Sequence, residues 1–227
     1  MKNQILIILS IFILSAASAL ASEDTIKVRT HDKEHLNWNG HFVRDTYFPT
    51  AGETFRRIWL DLTIGCPDGG CSPWDYTVCL LLEKKSGDSS INYELARYIT
   101  AYSGNLNSSW SRTYRYDVTD YVPLLSDSAK LDIFYDGWTD GFTATVDFTF
   151  IKGTPARKPF KVEKLVYGSF AYGDENNPIG ALIGERFANI DEKTKSAALK
   201  TIITGHGFGG NEDCAEFCEK DNFIYVN

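Results

Sequence analysis

The sequence is poor in the residues that build metal sites and nucleic-acid sites. Met1 is the only methionine, and the 227 residues include only four histidines. Lysine and arginine number 23 against 30 acidic residues, which gives a formal charge of −7 at pH 7. An acidic surface disfavours nucleic acid and anionic lipid as partners. It leaves neutral ligands such as sugars open, and the 14% aromatic content provides rings on which sugars stack.

Long apolar runs are absent after the first twenty residues. Lys2 precedes the run ILIILSIFIL, which is followed by small residues ending in Ala-Leu-Ala at position 21. This pattern is typical of a secretory signal peptide over residues 1–21. The run is short for a membrane span. We therefore predict a secreted or periplasmic protein, with no membrane partner after cleavage of the signal peptide.

Cysteine is sparse, and its spacing predicts disulfides. Cys66 and Cys71 flank Pro-Asp-Gly-Gly, and Cys214 and Cys218 flank Ala-Glu-Phe. Close pairs in an exported protein indicate disulfides before metal ligands, and neither pair has the C-x-x-C spacing of zinc sites. Cys79 lies in the apolar run TVCLLL and is predicted to be a buried free thiol.

Alternation of apolar and polar residues is the main structural signal. In FTATVDFTFIK (142–152), every second residue is apolar, which predicts a half-buried strand. Similar runs are RRIWLDLTI, YTVCLLLEK, YELARYIT, RTYRYDVTDY and KLDIFYDGW. Six or more short strands separated by turn residues predict an all-β antiparallel sandwich. The segment 190–200, IDEKTKSAALK, is the one predicted helix.

Glycine and proline mark a boundary at KGTPARKP (152–159). We predict an N-terminal domain over residues 22–152, a linker over 153–159 and a second unit over 160–227. The second unit is short for an independent sandwich core. It ends in the strand-like run DNFIYVN. We therefore expect residues 160–227 to be the beginning of an incomplete second domain.

Three acidic residues have unusual neighbours. Asp75 follows the Cys66–Cys71 turn and Trp74, whereas Asp136 lies two residues before Trp138 in FYDGW. In an extended strand, Asp136 and Trp138 would point to the same face. Glu216 lies between Cys214 and Cys218, where a short disulfide would aim its side chain.

Each of these residues also has a purely structural interpretation. An aspartate after a turn usually accepts hydrogen bonds from nearby backbone N–H groups. Asp136 and Glu216 could be ordinary solvated acids. His206, in TGHGFGG, could be a base or a ligand, but a histidine between glycines is more often a loop residue.

Seven motifs in one order are more specific than any single residue. They are CPDGGCSPWD, ARYITAY, YDVTDYVPLL, the segment with Asp136 and Trp138, VDFTFIKGTP, LKTIITGHG and CAEFC. Together they resemble the peptide-N-glycosidase F family, bacterial amidases that release N-linked glycans. The resemblance implies two eight-stranded antiparallel jelly rolls side by side, of which residues 22–152 would form the first.

The resemblance also implies roles for individual residues. Asp75 matches the acid that activates water, Glu216 the second-domain acid that holds the core sugar, and Asp136 a glutamate that acts through water. Trp74 and Trp138 match aromatic residues that line the cleft. The implied substrate is an N-linked glycoprotein or glycopeptide, with no cofactor and no metal, and we expect a monomer.

The chain departs from the family pattern at three positions. Asp136 is one methylene shorter than the family glutamate, Tyr76 replaces an arginine, and Phe217 replaces a tryptophan. Asp136 and Tyr76, together with the expected incompleteness of the second domain, favour the alternative of a non-catalytic glycan-binding or interaction module. Copper monooxygenases share the double-sandwich architecture but need clustered histidines and a methionine ligand, which excludes them here.

Overall fold

The structure is a computed structural model that describes residues 24–102, 104, 106–171, 175–206, 219 and 221–226. The predicted signal peptide lies outside the described residues. So do Cys214, Glu216, Phe217 and Cys218, and the predicted Cys214–Cys218 disulfide therefore stays a prediction.

Eight strands form the N-terminal part of the chain. They are β1 (Thr25–Asn37), β2 (His41–Tyr47), β3 (Phe55–Gly65), β4 (Thr77–Ser86), β5 (Ser89–Ile99), β6 (Ser111–Asp117), β7 (Ser128–Tyr135) and β8 (Asp140–Lys152). A 3-10 turn at Thr119–Tyr121 connects β6 to β7.

The strands form two four-stranded antiparallel sheets. One has the order β1-β8-β3-β6 and the other the order β2-β7-β4-β5. Chain neighbours such as β1 and β2 lie in opposite sheets, and this alternation makes the sandwich a jelly roll. The predicted all-β, antiparallel jelly-roll fold is therefore confirmed.

The sandwich core consists of the apolar residues that alternate along the strands. Ile58, Leu60 and Leu62 of β3 and Phe148 and Phe150 of β8 are fully buried. The threonines between the β8 phenylalanines are only partly buried, as the alternation predicts. Each such Leu or Phe contributes about 1.5–3 kcal/mol by leaving water. The two inner faces therefore hold the loops at the ends of the sandwich in place.

Strand β1 was not identified from the sequence because its pattern is interrupted. Its pairing with β8 shifts register between Arg29 and His31, between His31 and Glu34, and between Leu36 and Asn37. Lys33 has a positive φ of 49°. Irregularities of this kind break the period-2 signal on which strand prediction depends.

The described part of residues 153–226 contains one short helix, α1 (Ile179–Ile183), and no strand. The predicted helix over 190–200 is wrong. There Asp191 accepts hydrogen bonds from the backbone N–H of Lys193 (3.0 Å, to the side chain) and of Thr194 (2.8 Å, to the carbonyl). This local turn competes with helical hydrogen bonding. Residues 221–226, a strand-like run in sequence, have no regular secondary structure.

The described residues of 153–171 and 175–206 nevertheless contact the sandwich. The Arg157 guanidinium pairs with Asp120 at 2.7 Å. The Lys200 ammonium lies 4.8 Å from the Tyr121 ring centroid and donates to the carbonyl of Asp117 at 3.2 Å. No helix in the described ranges is long and apolar enough to cross a membrane.

Candidate functional site

The candidate site begins at the turn between β3 and β4. Cys66 and Cys71 form the predicted disulfide, with their Cα atoms 4.5 Å apart. Within the turn, the Gly70 N–H donates to the Pro67 carbonyl at 2.9 Å. Gly70 has a φ of +91°, and a Cβ there would lie 3.0 Å from the Leu106 carbonyl oxygen. The turn is therefore closed covalently and packed tightly against the segment before β6.

The segment after the turn is anchored on both sides of Asp75. On one side, the Ser72 N–H donates to the Gly141 carbonyl at 2.9 Å, and the Ser72 hydroxyl lies 2.9 Å from that of Thr139. On the other side, the Tyr76 N–H donates to the Thr100 hydroxyl at 2.8 Å. Asp75 therefore lies in a short segment whose two ends are fixed to neighbouring loops.

Asp75 is largely shielded but not sealed from solvent. Its side chain is 15% exposed. His206, far along the chain, places its Nε2 3.0 Å from the Asp75 carbonyl oxygen and 3.5 Å from Oδ2. A carboxylate in this position can accept a proton from a bound water molecule.

Asp136 and Trp138 lie in the loop after β7, not in a strand. The expectation of one extended strand is wrong, because β7 ends at Tyr135. The Asp136 N–H donates to the Thr77 carbonyl at 3.0 Å. Since Thr77 begins β4, this bond brings Asp136 to the corner where the Asp75 segment ends. Both Asp136 and Trp138 are exposed.

Three exposed rings form an aromatic surface beside Asp75, consisting of Trp74, Tyr102 and Trp138. The ring centroids of Trp74 and Trp138 are 6.2 Å apart, and those of Trp74 and Tyr102 are 5.9 Å apart. The three side chains are 46%, 69% and 57% exposed for Trp74, Tyr102 and Trp138, respectively. Neighbouring exposed rings of this kind can stack on the apolar faces of sugars.

Sequence reasoning missed Tyr102 as a member of the aromatic surface. The signal that could have identified it is strand pairing, because β5 runs antiparallel to β4 and Ile99 lies opposite Thr77. Residues just after β5 must therefore lie near the residues just before β4. Tyr102 and Trp74 satisfy this relationship.

Tyr76, which stands where the resembled family has arginine, is buried at the base of this corner. Its hydroxyl accepts a hydrogen bond from the Thr139 hydroxyl at 3.2 Å. Its ring packs edge-on against Trp138, with centroids 6.1 Å apart. Tyr76 therefore supports the aromatic surface from below and adds no charge beside Asp75.

Cys79 is a buried free thiol, as the sequence predicts. Burial raises the pKa of Cys79 to about 12, which leaves almost no thiolate at neutral pH. This removes it as a nucleophile. Among the residues that the structure describes, no group of three or more histidine, cysteine, aspartate or glutamate side chains could hold a metal ion.

The fold and the site define a class of protein: a jelly-roll sandwich with an acidic and aromatic site at one end. A family model described as "Peptide-N-glycosidase F, C terminal" matches residues 185–227. The curated peptide-N(4)-(N-acetyl-beta-D-glucosaminyl)asparagine amidase F of Elizabethkingia miricola is 28% identical over an alignment of 228 positions, which covers 94% of this chain and 63% of that protein.

Solved structures agree with this comparison. One is recombinant peptide:N-glycanase F, and another is PNGase F, a glycosylasparaginase from Flavobacterium meningosepticum. Both have a TM-score of 0.50, at 26% and 28% identity, over 59% of this chain and 44% of each solved chain. The resemblance to the peptide-N-glycosidase F family is therefore confirmed. The chain spans less than two thirds of the length of the curated relative it matches.

Proposed function

We propose that this chain is the N-terminal part of a secreted amidase that hydrolyses the bond between asparagine and the first N-acetylglucosamine of N-linked glycoproteins. One observation supports the proposal most strongly. Asp75 lies in a segment anchored on both sides, directly beside the exposed rings of Trp74 and Trp138. The proposed reaction requires a general base held next to the bound core sugar, and a fixed carboxylate beside a sugar-stacking surface provides this arrangement.

In the proposed reaction, Asp75 acts as the general base. It takes a proton from water, and the resulting hydroxide adds to the side-chain carbonyl carbon of the glycosylated asparagine. Hydrogen-bond donors stabilise the oxyanion. Cleavage of the carbon–nitrogen bond returns a proton to nitrogen and yields an aspartate-containing peptide and a glycosylamine. A second water molecule then hydrolyses the glycosylamine to the free glycan and ammonia, and no metal or organic cofactor takes part.

The other two acids have supporting roles in this proposal. Glu216, held by a Cys214–Cys218 disulfide, binds the core sugar. Asp136 lies close to the start of β4, where a water molecule can link it to the reacting groups. Its side chain is one methylene shorter than the glutamate of the resembled family, so this water-mediated contact differs from that of the family.

We infer that residues 160–227 begin a second jelly roll that forms the other wall of the cleft. The match of residues 185–227 to a C-terminal family model supports this inference. Apolar side chains in the same segment also support it, because Phe187, Ile190, Leu199 and Ile203 are all more than half exposed. Such side chains need a covering partner, which further strands would supply.

The second candidate function is a glycan-binding module without catalysis. Tyr76 favours it, because a neutral buried ring replaces the family's arginine beside the base. The shorter Asp136 favours it as well. A binding module would keep the aromatic surface and would not depend on the charge of Asp75.

Glycan release from a denatured N-glycoprotein distinguishes the two functions. We would compare the 227-residue protein, the product of any longer reading frame, the Asp75→Asn variant and the Asp68→Asn variant as a matched control in the adjacent turn. The amidase predicts release with conversion of Asn to Asp, lost in Asp75→Asn and kept in Asp68→Asn. Glycan binding by folded protein without any release would reject the amidase and support the binding module.

A further inference from the structure

His206 contacts the segment that carries Asp75, although a histidine between glycines is more often a loop residue than a base or a ligand. It is the last residue of the described stretch 175–206, whereas Asp75 belongs to the N-terminal sandwich. Its ring nitrogen Nε2 lies 3.0 Å from the carbonyl oxygen of Asp75. A carbonyl oxygen can only accept, so Nε2 must carry the hydrogen and donate it.

The same nitrogen lies 3.5 Å from Oδ2 of Asp75. This distance exceeds that of an ordinary N–H···O hydrogen bond, so the imidazole holds the backbone of Asp75 and leaves the carboxylate oxygens available. The orientation matters for a base, because a carboxylate that already accepts a strong hydrogen bond from a side chain is less able to take a proton from water.

The contact also supplements the anchors already described. Ser72 and Tyr76 fix the segment before and after Asp75, through Thr139 and Thr100. His206 fixes the peptide unit of Asp75 itself. A displacement of about 1 Å at a reacting group can reduce a rate about a hundredfold. The hydrogen bond from His206 to Asp75 can therefore affect the rate directly.

We propose that His206 is a positioning residue for Asp75, which it holds by donating the Nε2 hydrogen to the Asp75 carbonyl while leaving the carboxylate free to act on water. This inference rests on the proposed function. It means that the described stretch ending at His206 adds to the anchors that hold the base in its working position.

Two amide substitutions test the position of the donor. The side-chain nitrogen of glutamine can occupy the place of histidine Nε2, whereas that of asparagine occupies the place of Nδ1. His206→Gln therefore keeps the donor near the Asp75 carbonyl, and His206→Asn moves it away. His206→Leu removes the donor and keeps a side chain of similar bulk. Far-UV circular dichroism verifies that each variant is folded.

The first measurement does not depend on activity. Hydrogen exchange of the backbone amides at residues 74–77 is compared among the wild-type chain and the three variants. We expect His206→Gln to match the wild type, and His206→Asn and His206→Leu to exchange about 2- to 10-fold faster, which is the effect of one lost hydrogen bond on local opening. Equal exchange in all four proteins would overturn the proposal.

The second measurement is glycan release by the same four proteins. We expect kcat to fall about 10-fold or more in His206→Asn and His206→Leu with KM little changed, and His206→Gln to restore it. An unchanged kcat in His206→Asn, despite faster exchange, would also overturn the proposal. If neither the wild-type chain nor the product of a longer reading frame releases glycan, the amidase function fails, and hydrogen exchange still decides whether His206 positions Asp75.

Discussion

The hydroxyl groups of Ser72 and Thr139 lie 2.9 Å apart and join the segment that carries Asp75 to the loop that carries Trp138. The Thr139 hydroxyl also lies 3.2 Å from the Tyr76 hydroxyl. Three polar side chains thus form a small hydrogen-bonded network beneath the aromatic surface. The acid and the rings keep their relative positions through this network.

The network predicts that Thr139→Val is destabilising. The substitution keeps the branched shape but leaves the hydroxyls of Ser72 and Tyr76 without their shared partner, which costs about 1–3 kcal/mol when such groups are buried. Urea unfolding measures the change in the free energy of unfolding. Thr149→Val, on the partly exposed face of β8, is the matched control, and we expect it to change stability by less than about 0.5 kcal/mol. Equal effects of the two substitutions would contradict the network.

We expect removal of the Cys66–Cys71 disulfide to reduce function more than stability. It closes a short loop, for which the chain-entropy model gives about 2 kcal/mol. We expect the Cys66→Ser, Cys71→Ser double variant to lose no more than about this amount in urea unfolding. Glycan binding or release is expected to fall further, because the turn no longer holds the Asp75 segment. Unchanged function in a destabilised variant would show that the disulfide serves stability alone.

We expect alanine substitution of each ring of the aromatic surface to weaken glycan binding. Replacing Trp74 or Trp138 by alanine removes a stacking ring, and we expect the Kd for a chitobiose-containing oligosaccharide to rise about 10-fold for each. Tyr102→Ala is expected to have a smaller effect. Titration calorimetry measures the Kd. Tyr47→Ala is the control. Tyr47 is exposed and lies opposite Ser128 at the start of β7, whereas the aromatic surface lies beyond the end of β7. If Tyr47→Ala weakens binding as much as Trp74→Ala, the sugar does not bind at the aromatic surface.

We expect the contribution of Cys79 to the free energy of unfolding to depend on pH in the alkaline range. Burial raises its pKa from 9.0 to about 12, so the native state keeps its proton over a range in which the unfolded chain loses it. The stabilising contribution is therefore complete below pH 9 and is lost as the pH rises toward 12. Comparison with Cys79→Ala isolates this contribution, and the difference in unfolding free energy should shrink between these values. Rapid alkylation of native Cys79 by iodoacetamide at pH 8 would contradict its burial.

Much of the fold could be predicted from sequence because strand patterning is local. The alternation in FTATVDFTFIK matches the buried and partly buried positions of β8. The interrupted pattern of β1 could not be read in this way, since its bulges depend on pairing with β8. The predicted helix over 190–200 failed because Asp191 forms a local turn instead.

The features of the candidate site can be separated in the same way, into those that local sequence predicts and those that it does not. The sequence by itself determined the all-β antiparallel sandwich, the Cys66–Cys71 disulfide and the acid–tryptophan pair at 74–75, because each depends on neighbouring residues or on a pattern with a short period, whereas the jelly roll was implied only by the family resemblance. Only the tertiary structure brought Tyr102, Thr139 and His206 to Asp75. These contacts join loops that are distant in the chain, and their positions follow from the order of strands in the two sheets, which no local pattern encodes.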